Sequence, residues 1–388
     1  MAGYIFSLGK DTDLDNSPLT IGVYSYRLKN SPSGRWLTPY EMTCADFAAM
    51  QTGDNVYFFQ QRKLYGVGIL SDICGDCKFR NFPDANKPQS FNYDQIADVN
   101  LWGEKEGEDR FRWLCTFKPD HHFFKIGVDI DEVLASSTSS FKMLPAFEKL
   151  SFIKIDEEEN NALKDAILRA NREIVGNPSA HDVFDDNSPA IHASIETKME
   201  TNIDGYRFNV DDILEHCATG DKLGHESALE AGFIHQLATI SNHPDMGPIF
   251  GSWDYISHQV VASPQKATIW MDKMDVFGFS YISGYRPAKD KFLIVELKIG
   301  DALKDDIDQL LKYVDWVQEK YAYREYCMIH AFLVTYDFSQ DVKDYAREVG
   351  VRRYTIGKNP ARSLEWKNLK LITYRYNPTS RTISFHDA

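Results

Sequence analysis

"KFLIVELKIGDALKDDIDQLLKYVDW", residues 291–316, decides how the C-terminal half of this chain folds. Its first part is an apolar run of strand length, and its second repeats apolar residues at helical spacing. Inside the apolar run stand two charges, Glu296 and Lys298. Strand side chains alternate between faces, so Leu293, Val295 and Leu297 make a continuous apolar surface while Ile294, Glu296 and Lys298 share the opposite face. A carboxylate and an ammonium are thus delivered side by side at the strand's end. Asp275, in "MDVFG" (274–278), lies on the preceding strand-like segment, with a hairpin-like connection between them. If the two strands pair, Asp275 and Glu296 converge within the reach of one divalent cation.

Two carboxylates supply the hard oxygen ligands that Mg²⁺ or Mn²⁺ takes while keeping several waters. Such an ion acidifies a bound water and neutralises charge on a phosphate under attack. The lysine can orient or help deprotonate the attacking water and stabilise the transition state. Downstream, Gln309 and Tyr313 are four residues apart and share one helical face. Upstream, Glu226 and Glu230 in "HESALEAGF" (225–233) have the same spacing, and either can supply a further carboxylate.

The surrounding elements extend the pattern outward. A helix "HESALEAGFIHQLA", a strand-like "ATIWMDKMDVFGFSYI", the strand and helix already quoted, a strand "MIHAFLVTYD" and a helix "QDVKDYAREVG" predict an α/β core with a mixed sheet flanked by helices over 223–388. Residues 1–172 read differently. "GYIFSLG", "IGVYSYRL", "NVYFF", "LYGVGIL" and "FRWLCTF" are short, rich in Val, Tyr and Phe, and bounded by turn residues, which predicts a mainly-β domain. "QQRK" (60–63) suits a hairpin turn, and the acidic start of "IDEEENNALKDAILRANREI" suits a helix N-terminus. Residues 173–222 are polar, turn-rich and weakly periodic, and are expected to form a linker.

Composition limits the possibilities. Hydrophobic residues make up 43% and aromatics 13%, enough for packed cores. A net charge of −14 weighs against nonspecific coating of nucleic acid, although the tail from "REVGVRRYTIGKNPARS" onward is basic. Six cysteines over 388 residues fit a reducing compartment, "MAGYIFSLGK" lacks the features of a secretory signal, and no apolar run is long enough to cross a bilayer. The expectation is a cytoplasmic protein without membrane contact. "CGDC" (Cys74, Cys77) has no second pair beside it, so zinc with Cys44 and Cys115 is disfavoured, and His121 and His122 read as a loop or strand edge. No phosphate-binding glycine loop of the G-x-x-x-x-G-K-[ST] kind is present.

Asp275, then Glu296-x-Lys298 at a strand's end, then Gln309-x-x-x-Tyr313 on the next helix resembles the PD-(D/E)XK nuclease superfamily. "LEAGF…MDVFG…IVELKIG…QLLKY" is similar to its branch of RecB-type, NucS-type and Shedu antiphage nucleases, over about residues 222–375. Met274 stands where the motif's proline would be. The resemblance implies a Mg²⁺- or Mn²⁺-dependent endonuclease acting on phage or plasmid DNA, with two-strand cleavage implying a homo-oligomer. It implies metal ligation by Asp275, Glu296 and Glu230, catalysis by Lys298, and support from Gln309 and Tyr313. "TGD" (52–54), "LYGVGIL" and "FPD" (82–84) resemble the PUA-like group, including EVE domains. That resemblance implies a nucleic-acid sensor in which Tyr24, Trp36, Tyr57, Phe59 or Trp102 stacks on a base. Two alternatives stand beside this reading: a restriction enzyme that reads a modified base, and an inactive nuclease fold that binds nucleic acid.

Overall fold

The computed structural model describes residues 1–15, 18–28, 38–103, 111–146, 152–177, 183–263 and 271–388. They form two compact units: Met1–Tyr40 with Met50–Asn209, and Glu41–Ala49 with Val210–Ala388.

The first unit is built on a predominantly antiparallel sheet. Its strands are β1 (Gly3–Ser7), β2 (Val23–Arg27), β3 (Asn55–Gln60), β4 (Lys63–Leu70), β5 (Lys78–Arg80), β6 (Phe111–Pro119), β7 (Val128–Asp129) and β8 (Phe152–Ile155). They run in the order β2-β6-β4-β3-β1-β8, with β5 on β6 and β7 on β4, and β1 parallel to β3. "QQRK" makes the β3–β4 hairpin, with Gln61 and Arg62 both at positive φ, the two-residue geometry that matches strand twist. The sheet's aromatic residues pack inward: Phe6 stacks on Tyr24 at 4.1 Å, and Phe58 meets Phe117 at 5.4 Å. The helix Glu157–Ala170 is capped by Asp156, whose side chain accepts from Glu159 N, as its acidic first turn predicts.

The described residues of the segment 173–222, expected as a linker, are folded. The helices Ser188–Glu200 and Ile203–Tyr206 belong to the first unit, where Ile195, Met199 and Tyr206 share a core cluster with Val23, Phe79 and Leu114. His192 Nε2 meets the Gly22 carbonyl oxygen at 2.9 Å. From Val210 onward the same segment joins the second unit. Its polar composition hid a sparse apolar stripe. Helices join the sheet of the first unit, which is mixed where a mainly-β domain was expected, and among the described residues no feature identifies the PUA-like group.

The second unit has a three-layer α/β/α core. A small hairpin, β9 (Ala218–Thr219) and β10 (Lys222–Leu223), precedes the helix Glu226–Ala238. The main sheet contains β11 (Tyr255–Val261), β12 (Lys273–Tyr281), β13 (Lys289–Leu297) and β14 (Ile329–Thr335). The exposed hairpin β15 (Arg352–Ile356) and β16 (Arg362–Trp366) follows, then β17 (Leu369–Asn377) and β18 (Thr382–Asp387) complete the sheet. Its order is β11-β12-β13-β14-β17-β18, with β13, β14 and β17 parallel and the other pairings antiparallel. The helix Lys304–Lys320 covers the face carrying Phe277 and Phe292, both of which meet Tyr321 just past its end. The helices Glu226–Ala238 and Met246–Phe250 cover the other face, where Phe250 packs on Phe332 and Phe385. Gln236 fixes the first of these helices to the edge strand by accepting from Ile383 N at 2.7 Å and donating to its carbonyl at 2.9 Å.

Candidate active site

Register brings the predicted charges together. Val276 pairs with Val295 and Phe277 with Ile294, which sets Asp275 beside Glu296 where the antiparallel pair ends. Asp275 Oδ2 accepts from Leu297 N at 2.8 Å and Oδ1 from Gln259 Nε2 at 3.3 Å, so this carboxylate is held at both oxygens. The parallel partner continues past the strand, with Lys298 N donating to the Val334 carbonyl at 2.9 Å, and this fixes the backbone that carries the lysine.

Two helices complete the site from opposite faces of the sheet. Glu226 and Glu230, one turn apart on Glu226–Ala238, bring a carboxylate oxygen each within 4.8 Å of one another and of an Asp275 oxygen. From the other face, Gln309 Nε2 donates to the Tyr313 hydroxyl at 2.7 Å. Lys298 Nζ joins the two sides, 2.8 Å from Glu296 Oε1 and 3.1 Å from Glu226 Oε1. Glu296 has no exposed surface, and neither of its carboxylate oxygens accepts a well-directed hydrogen bond; Lys298 meets it as an ion pair.

Electrostatics follow from this crowding. Burial, then the Glu296 and Glu230 carboxylates, push the Asp275 carboxyl well above its ordinary range against the pull of Lys298. Burial pushes Glu296 up to about 7, with Lys298 opposing it, and burial also raises Glu226. Burial would lower the Lys298 ammonium, but Glu296, Asp275 and Glu226 outweigh it and leave the lysine raised and charged. Tyr313 is raised by burial and by Glu296, so its hydroxyl keeps its proton.

Four carboxylates therefore face one ammonium in a largely buried site. The all-oxygen donors Glu226, Glu230 and Asp275, together with the Glu296 oxygens that lack well-directed hydrogen bonds, fit a hard divalent cation such as Mg²⁺ or Mn²⁺. Sequence spacing found Asp275, Glu296, Lys298, Gln309 and Tyr313, and offered Glu226 and Glu230 as alternatives. Both glutamates lie in the cluster with Asp275.

Spacing missed His258. It sits on β11, its Nε2 2.5 Å from Glu230 Oε2 and its Nδ1 3.3 Å from Asp46 Oδ1. Burial would lower this imidazole, but Asp46 and Glu230 raise it to about 10. "YISHQVV" (255–261) has the composition of a strand, a signal that could have placed one there, but Asp46 is more than two hundred residues away in sequence.

The proposed base-stacking residues fare differently. Tyr24 and Tyr57 are core side chains, the first stacked on Phe6 and the second bonded through its hydroxyl to Asn160 Oδ1 at 2.8 Å. Phe59 is half-buried, and so is Trp102, which packs edge-on against Phe111. Trp36 lies outside the described residues. Among the described residues, the only other group with metal-ligand geometry is Asp120, His121 and His122, in a turn after β6, and neither group contains a cysteine. No helix among the described residues is long and apolar enough to cross a membrane.

No protein-family model matches the chain, and no curated protein does. Among solved structures, a repair endonuclease from Pyrococcus abyssi is similar at 20% identity with a TM-score of 0.20. The match covers 29% of this chain and 43% of that one, so the chain spans less than half the length of the solved protein. So slight a likeness says nothing about the chemistry of this chain.

Proposed function

We propose that this chain is a nuclease that hydrolyses phosphodiester bonds in DNA with Mg²⁺ or Mn²⁺. The observation that carries the reading is the convergence of Glu226, Glu230 and Asp275 at one end of the sheet, with Lys298 between Glu226 and Glu296. The three clustered carboxylates, with Glu296 behind them, would hold the cation. When bound, such an ion lowers the pKa of water and neutralises charge on a phosphate.

The chain's own groups do the rest. Held charged by its carboxylate neighbours, Lys298 serves as a hydrogen-bond donor to phosphate oxygens and offsets the charge that develops on them. Gln309 orients the Tyr313 hydroxyl, which stays protonated and acts as a donor. The apolar face of β13, with Leu293, Val295 and Leu297 fully buried, fixes the strand that carries Glu296 and ends beside Lys298.

The test is cleavage of supercoiled, linear and single-stranded DNA with Mg²⁺, Mn²⁺ or EDTA. Cutting is expected with either metal and not with EDTA, falling roughly 100-fold or more in Glu296→Ala and in Lys298→Ala. Metal-independent cutting, or none on any substrate, would end the proposal. The finer reading is an antiphage nuclease of the Shedu type, acting on phage or plasmid DNA as a homo-oligomer and restrained by its first unit. It is supported by the motif resemblance. Protection of cells from phage by the wild-type chain and not by Glu296→Ala would bear it out, and equal protection by both would refute it.

A further inference from the structure

Asp46 is N-terminal in sequence, yet Glu41–Ala49 belongs to the second unit, which the chain enters after Tyr40 and leaves before Met50. There Asp46 meets His258 Nδ1 at 3.3 Å, and His258 Nε2 meets Glu230 Oε2 at 2.5 Å. The His258 side chain is 2% exposed, the Glu230 side chain 6% and the Asp46 side chain 20%, so the row runs from near the surface to the carboxylate cluster.

The chemistry of this row is restrictive. An imidazole with a carboxylate on each ring nitrogen satisfies both only when both nitrogens donate. A neutral ring would turn a lone pair toward one of the carboxylates. A buried charge with one partner removed is poorly compensated, and here the two carboxylates share the compensation. The ring orientation, and with it one oxygen of Glu230, is thus set by Asp46. Glu230 in turn is one of the three carboxylates that converge with Asp275.

We propose that Asp46 and His258 are positioning residues that hold the Glu230 carboxylate for a divalent cation, making the site's affinity depend on the seating of Glu41–Ala49. The inference rests on the metal-dependent reading of this site. It differs from that reading in naming a segment remote in sequence, joined at both ends to the first unit, as part of the cation site. Withdrawing Asp46 would free the ring and let Glu230 shift, without touching a ligand oxygen directly.

The test is Mn²⁺ binding by the full-length chain, followed by titration calorimetry, with unfolding of the metal-free proteins measured in parallel. Asp46→Ala is expected to weaken Mn²⁺ binding about 10- to 100-fold, the usual range when a partner behind a ligand is removed. Asp46→Asn, which keeps an acceptor oxygen in the same place, is expected to fall between Asp46→Ala and wild type. If Asp46→Ala gives no cooperative unfolding, Asp46→Asn carries the measurement, and a loss of more than twofold supports the proposal. Wild-type binding with the folded variant within twofold of it would overturn the positioning role alone. A wild-type chain that binds no Mn²⁺ would overturn the cation site and this role together.

Discussion

A carboxylate with no exposed surface and no well-directed hydrogen bond is held against a large desolvation cost, and Glu296 is such a group. Burial raises it to about 7, and the consequence for stability has a definite sign. Below about pH 4.5 it is protonated in folded and unfolded chains alike. As the pH climbs to 7 the unfolded chain releases the proton while the folded chain keeps it, and above 7 the folded chain must bury the charge. Asp275, also raised, acts in the same direction. His258, raised to about 10, adds stability that is full below about 6.5 and is lost as the pH rises through 10. Histidines that burial lowers, among them His192, His243 and His330, act the other way below about pH 6.5, so metal-free protein is expected to melt at progressively lower temperature from about pH 6.5 to pH 9. In Glu296→Gln the slope between pH 5 and 8 should be shallower, and calorimetric scans across that range check both. A melting temperature that rises between about pH 6.5 and pH 9, or a slope unchanged in Glu296→Gln, would contradict this reading. At this scale the sequence revealed what local spacing can encode. Asp275, Glu296, Lys298, Gln309 and Tyr313 follow from strand alternation and helical period. His258 and Asp46 do not, because the contact between them depends only on the fold.

Elements show the same division between local and distant information. The β3–β4 turn was legible because "QQRK" interrupts two apolar runs, yet it places Gln61 and Arg62 at φ of 48° and 66°, a region that favours Asn and Gly. Replacing the pair by Asn-Gly is expected to stabilise the protein by about 1 kcal/mol in urea unfolding, with little offset from losing the exposed Arg62–Asp131 ion pair. No gain would mean the turn is held by contacts other than its own backbone preference. Gly278 marks a close approach: a Cβ there would lie 2.7 Å from the Tyr255 carbonyl oxygen, between β11 and β12. Gly278→Ala must part those strands and should lower stability by about 1–3 kcal/mol. Because β11 carries His258, Mn²⁺ affinity should fall as well, and unchanged melting would show that the strands accommodate the methyl. The strand β11 itself was missed, because "YISHQVV" is a short run between the stronger signals of "HESALEAGFIHQLA" and "ATIWMDKMD".

Across the whole molecule, the division of the chain was the least legible feature. Turn-rich composition in 173–222 predicted a linker, but Ile195 in that span is fully buried in the core of the first unit. Ile195→Ala is accordingly expected to cost about 2–4 kcal/mol, where a linker position would cost almost nothing, and denaturant unfolding separates the two. Nor did the sequence mark Glu41–Ala49 as part of the second unit, because that assignment depends on contacts with residues more than a hundred and fifty positions away. The net charge of −14 is spread over a chain that nevertheless gathers one ammonium among four carboxylates at a single sheet end. The proposed nuclease requires Lys298 to act on the phosphate rather than merely to balance charge. The most direct measurement is DNA cleavage by Lys298→Ala at Mn²⁺ concentrations shown by titration to saturate the variant. Bound Mn²⁺ with cleavage at least about 100-fold slower than wild type is the expected result. Saturated variant cutting at the wild-type rate would contradict it.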